Sequence, residues 1–180
     1  MIRAVVFDLD DTLIDTSGEL VAPAHREAAA AMIAAGLEAS LEEVAEKRID
    51  FAKAAPVEEV DLRVAAFFGA GPEVAAAGHK AYFGRRVASL DPFPFVPGVL
   101  RSLGSRTLLL VTAGFEATQR KKLELAGLAG FFEQAEVVPV GGGQGGGHRA
   151  AAARASHRLL GGGGRGRPAG RRDRGGAAAR

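Results

Sequence analysis

The 180-residue sequence contains no cysteine and no tryptophan, one tyrosine and two methionines. Without cysteine there is no disulfide framework, no thiolate metal site and no cysteine nucleophile. No apolar run approaches the roughly 18 residues of a membrane span, which excludes a membrane-crossing helix. A basic-then-apolar leader pattern is also missing at the N-terminus, because Asp8, Asp10 and Asp11 arrive too early. A cytoplasmic protein with no membrane partner is the expectation. Acidic residues all but vanish near the end: residues 145–180 hold nine Arg against the single Asp173, whereas residues 1–144 hold 14 Lys and Arg against 20 Asp and Glu. The net charge of +2 and the pI of about 9.3 therefore belong to the tail, and any case for nucleic acid concerns that tail alone.

What is present reads as a globular chain, 47% hydrophobic and 24% charged. Residues 2–7 form a short β-branched apolar run, the pattern of a strand buried on both faces. That run stops at Asp8-Leu9-Asp10-Asp11-Thr12, an acidic cluster at the carboxyl end of a strand, where open α/β sheets bind ligands. From about residue 16 to 90 the text turns to Ala, Glu and Leu at helical spacing and predicts three or four short helices. One of them, over residues 24–35, ends at Gly36. Another starts at Ser40 with Glu43 completing a capping box, and Pro56 and residues 69–72 punctuate the next two.

Residues 91–98, rich in proline, predict a stiff extended hinge back to the main body. A short helix over 99–103, a buried strand over 107–111, a helix over 116–125 closed by Gly127, and a strand over 135–140 follow. Strand, helices, strand, helix, strand predicts an α/β fold, a doubly wound parallel sheet. Beyond it the pattern breaks: 29 of the 36 residues from 145 to 180 are Gly, Ala or Arg, a composition that cannot bury enough apolar surface to offset its ordering entropy. A disordered tail is expected there.

Two carboxylates two residues apart repel unless a cation neutralises them, and a hard oxygen-loving ion such as Mg²⁺ is the natural one. One such carboxylate can attack phosphorus while its neighbour moves the proton. Thr112, at the end of the next strand, offers a hydroxyl and nearby backbone N–H groups to a phosphate oxygen.

Phe7-Asp8-Leu9-Asp10-Asp11-Thr12-Leu13 resembles the first motif, D-x-D-x-T, of the haloacid dehalogenase-like hydrolase superfamily, and residues 108–112 resemble its second, a buried strand ending in Thr or Ser. Residues 95–100 resemble the return from the helical cap in phosphoglycolate phosphatase-like members. The resemblance covers residues 1 to about 143. It implies a Rossmann-like α/β core over residues 1–15 and 96–143, a helical cap with its return hinge over 16–95, and a Gly/Ala/Arg-rich disordered tail over 144–180. It also implies that Asp8 is the nucleophile and Asp10 the acid/base. Mg²⁺ would be bound by the Asp8 carboxylate and the Asp10 main-chain carbonyl, and Thr112 would bind the phosphoryl group. Asp10 argues against dehalogenase chemistry. Ala113 stands where the family commonly has Asn, at a possible substrate contact. The implied activity is hydrolysis of a small phosphorylated metabolite through an aspartyl-phosphate. The alternatives are a phosphotransferase or phosphomutase of the same superfamily, and a non-catalytic protein with a basic RNA-binding tail.

Two further motifs of the superfamily, a lysine and a second acidic pair, are not visible. Lys121 and Lys122 are candidates for that lysine, but they lie in the helix over 116–125 and read as a solvated face, and Asp173 is isolated among arginines. Residues 145–180 fit an out-of-frame reading of a GC-rich gene, which leaves the activity of the 180-residue form an open question. The glycine run over 141–147 lacks the Lys-Ser/Thr ending of a phosphate-binding loop, and the Arg/Gly tail has no aromatic residue for base stacking, so nucleic acid is not expected as a partner. His25 and His79 read as surface or packing residues and Arg85 and Arg86 as a solvated pair. Phe67, Phe68, Phe83, Phe131 and Phe132 read as core. Oligomeric state leaves no sequence signal.

Overall fold

The β-branched run that opens the chain pairs with the second apolar run to make a parallel sheet, as seen in a computed structural model that describes residues 2–139 and residue 157. Strand β1 (Ala4–Phe7) lies beside β2 (Thr107–Ala113), and β3 (Gln134–Val138) lies on the other side of β2. Val5 pairs with Leu108 and Leu110 with Ala135, all in parallel register. Parallel neighbours need long crossovers, and helices supply both. The architecture is the Rossmann-like α/β core expected.

Strand β2 is the sheet's centre among the described residues, and its side chains alternate between two buried faces. Leu108 and Leu110 enter a cluster with Leu9, Leu13, Ile14, Leu100, Leu123 and Leu128, whereas Leu109 and Val111 are buried on the opposite side. Strand β1 is only half-buried along its length, unlike the fully buried strand expected, because its one strand partner among the described residues is β2.

Between β1 and β2 run a π-helical turn (Thr16–Val21) and four helices: α1 (Ala22–Ala34), α2 (Leu41–Ala54), α3 (Val57–Phe67) and α4 (Pro72–Gly84). The capping box at the start of α2 is present, with Ser40 Oγ accepting from the Glu43 amide while the Glu43 carboxylate accepts from the Ser40 amide. These helices enclose a second cluster, built on Ala29, Met32, Val44, Val60, Val64 and Val74, that shares no buried residue with the first.

Inside the helical segment lies a buried polar group. Arg48 is fully buried and donates from Nε to Asp61 Oδ1 at 2.9 Å, while its Nη1 lies 2.8 Å from His25 Nδ1. Burial pushes His25 down to about 4, and the Arg48 charge adds to the effect. A neutral imidazole can accept from the guanidinium, and α1, α2 and α3 are thereby tied at one point. His25 is thus the packing residue expected, and His79 lies on the surface.

The structure departs from the expected elements in several places. Residues 91–98 are not an extended hinge throughout: α5 (Val96–Ser102) already begins at Val96, since proline at the second helical position fits a first turn. Phe67 and Phe83 are 58% and 45% exposed rather than core, whereas Phe68, Phe131 and Phe132 pack against the two clusters. Arg85 is not a freely solvated residue: it donates to Glu27 at 2.9 Å and to the Glu19 carbonyl, and Arg86 donates to the carbonyls that end α4. The expectations for Val140, the glycine run and the basic or out-of-frame tail fall outside the described residues, as does Asp173.

Candidate functional site

Leu9 is fully buried, which pins the loop after β1 and turns its neighbours outward: Asp8 is exposed and Asp10 half-buried. Asp8 Oδ1 accepts the Leu9 amide at 2.8 Å. Asp11 adopts φ 54°, a left-handed turn that aspartate tolerates, and its carboxylate accepts the Ser17 amide at 2.8 Å and the Ser17 hydroxyl at 2.6 Å. The acidic loop is thus closed onto the π-helical turn, whose Thr16 hydroxyl donates to Asp10 Oδ1.

The other wall comes from α6 (Glu116–Leu125). Lys122 Nζ lies 2.8 Å from Asp10 Oδ1, with its side chain only 16% exposed. The solvated-face expectation is therefore corrected for Lys122. Helix α6 follows directly on β2 and packs back beside the loop after β1, so residues 109 positions or more apart in sequence meet. Lys121, one residue away, is the exposed member, paired with Glu124.

Gln119 is the functional candidate that sequence reasoning missed. It is 3% exposed, and its Nε2 lies 2.7 Å from Asp10 Oδ2, 2.8 Å from Thr112 Oγ1 and 2.9 Å from the Ala113 carbonyl. Thr112 itself is buried at the end of β2. The structure therefore joins Asp10 to Thr112 and Ala113 through one amide. A polar residue one turn before Leu123, on a helix that buries only these two residues, was the signal available in the sequence.

Burial acts to raise the Asp10 carboxyl, but the hydrogen bonds from Lys122, Thr16 and Gln119, with the Lys122 charge, outweigh it and hold Asp10 below its ordinary value. The arrangement thus keeps Asp10 as a carboxylate with both oxygens occupied, beside an Asp8 carboxylate that faces solvent. Among the described residues no group of three or more His, Asp or Glu gathers to hold a metal. The donor set that remains, the Asp8 carboxylate and main-chain oxygens of the loop, matches a magnesium ion that keeps several waters and takes one carboxylate. The Asp10 carboxylate does not fit as a ligand while Lys122 and Gln119 hold it.

A sequence model of the haloacid dehalogenase-like hydrolases matches residues 2–165. Two proteins named glyceraldehyde 3-phosphate phosphatase are similar to the chain. That of Methanocaldococcus jannaschii is 35% identical over 74% of this chain and 60% of its own. That of Methanopyrus kandleri is 36% identical over 76% of this chain and 62% of its own. The chain thus spans about three fifths of the length of the curated relatives it matches. A Bacillus subtilis structure described as a HAD hydrolase bound to magnesium superposes with a TM-score of 0.51 at 20% identity, over 76% of this chain and 63% of that one.

Proposed function

The chain belongs to the haloacid dehalogenase-like hydrolase family, and from that membership we propose that it is a phosphohydrolase of small phosphate esters working through an aspartyl-phosphate on Asp8. The observation that supports this reading is the Asp10–Gln119–Thr112 connection: one amide nitrogen lies 2.7 Å from the Asp10 carboxylate and 2.8 Å from the Thr112 hydroxyl, with Asp8 exposed two residues before Asp10. We propose residues 16–95 as a cap over the site and residues 1–15 with 96–143 as the core.

With the entering phosphate drawing Lys122 away, Asp10 takes up a proton from solvent; Asp8 then attacks phosphorus, the bond to the ester oxygen breaks, and the proton on Asp10 goes to the departing alkoxide. Asp10 then takes a proton from water, whose oxygen attacks the phosphorus of the acylphosphate; the Asp8–phosphorus bond breaks and inorganic phosphate leaves. Thr112 donates to a phosphoryl oxygen, and the Ala113 region contacts the substrate. Lys122 offers the phosphate a positive charge, and an entering dianion competes for it with Asp10, loosening the grip that keeps Asp10 ionised. Magnesium, when bound, would be held by the Asp8 carboxylate and the Asp10 main-chain carbonyl and would supply positive charge against the phosphate.

The relatives' names make glyceraldehyde 3-phosphate the first natural ester to try. A cavity of about 320 Å³ lined by Ser17, Val21, His25, Ile49, Ala52 and Lys53 has room for a small organic moiety. Phosphate release from an aryl phosphate with magnesium tests the reading. Release by the 180-residue chain that is abolished in Asp8→Asn is expected; hydrolysis surviving that substitution, or absent from the unmutated chain, overturns it.

A further inference from the structure

Helix α6 is polar almost throughout, yet it buries the side chain of Gln119, and a buried amide is costly unless its hydrogen bonds are made. Here the nitrogen faces a carboxylate oxygen of Asp10, the hydroxyl of Thr112 and the carbonyl of Ala113. The first and last of these only accept, so chemistry alone fixes which end of the amide points inward. The two hydrogens of Nε2 are shared among three acceptors, one in the loop after β1 and two at the end of β2.

The backbone is shaped for this side chain. Gly114 has φ +150°, and a Cβ built there would stand 3.0 Å from Gln119 Cγ and 3.1 Å from Cδ. The glycine after Ala113 thus provides both the turn out of β2 and the space through which the amide reaches the site.

We infer that Gln119 is a positioning residue that locks the proton-transfer carboxylate and the phosphate-binding hydroxyl into one frame, an inference that rests on the phosphohydrolase reading above. Because Gln119 donates to Thr112 Oγ1, the hydrogen of that hydroxyl is left to point at another acceptor, the phosphoryl oxygen. Because the same amide holds Asp10 Oδ2, the carboxylate faces the ester oxygen at a set distance from the phosphorus. Asp10 matters most when the leaving group needs a proton, so the contribution of Gln119 depends on the leaving group.

Gln119→Met keeps the unbranched stem and removes the donors; Gly114→Ala keeps the amide and crowds its stem. Each is compared with the unmutated chain on 4-nitrophenyl phosphate, whose leaving group needs little protonation, and on an alkyl phosphate, with a thermal melt of every protein. The expected result is a loss of kcat on the alkyl ester on the order of 100-fold and a loss several-fold smaller on the aryl ester. The melts are expected to change too little to account for either loss. Equal losses on the two esters, or losses that follow the melting temperature, overturn the inference. Failure of both variants to fold assigns Gln119 to the fold alone and also overturns it. An unmutated chain inactive on both esters removes the phosphohydrolase reading, and this inference with it.

Discussion

The side chain of His25 shows how a buried residue sets a pH limit. In the folded protein its imidazole stays neutral down to about 4, against 6.5 for the ordinary value, because burial and Arg48 oppose its charging. Between those values the unfolded chain binds a proton that the folded chain refuses. Stability contributed by this group is therefore complete above about pH 6.5 and falls as the pH drops towards 4, by up to about 3 kcal/mol. Urea midpoints at pH 7 and pH 4.5 check it: the unmutated chain is expected to lose more between the two than His25→Gln does. An equal loss would assign the acid sensitivity to other groups. The neighbouring Arg48–Asp61 pair carries less weight as a source of stability, since burying two charges offsets much of their attraction.

The helices differ in how their starts are held. Helix α2 has the most complete start, with reciprocal bonds between Ser40 and Glu43. Ser40→Ala is expected to lower stability by about 1 kcal/mol, read as a shift in the urea midpoint without a change of slope. Helix α6 is the opposite case. No side chain caps its start, and it buries only Gln119 and Leu123, so its position depends on what those two residues touch. That dependence places Lys122 and Gln119 against the acidic loop, and it explains how a helix of low hydropathy can form one wall of the site.

On the scale of the whole molecule, two apolar clusters sit side by side, one under the sheet and one among α1–α4. Polar contacts tie the two ends of the helical segment together: Arg85 to Glu27 and to the Glu19 carbonyl, and the Asp91 amide to Glu19. Two clusters that share no buried residue can open separately. Val64→Ala is expected to speed amide hydrogen exchange in α1–α4 and leave β2 unchanged. Leu110→Ala, costing about 2–5 kcal/mol, is expected to do the reverse. Equal acceleration everywhere in both variants would mean that the two clusters open as one unit.

The order of elements was legible in the sequence, as was the acidic loop at the end of β1. Local signals suffice for these: α6 runs over the residues its spacing predicts, Ser40 starts α2, and the β-branched runs form parallel strands. The position of Asp8, Asp10 and Thr112 at strand ends was equally legible, because a strand's end is a local event. Which polar residues of α6 meet Asp10 depends on packing between distant segments. Lys121 and Lys122 are chemically identical neighbours, and a rotation of about 100° per residue sends one to solvent and the other to the loop. Gln119 was hidden for the same reason, since its three acceptors come from segments far apart in the chain or around the turn of Gly114. Phe67 and Phe83 went the other way: their hydrophobicity is local, whereas their exposure depends on where α3 and α4 end relative to the clusters. Periodicity fixes what a segment becomes, and packing across distant segments fixes which of its side chains can do chemistry.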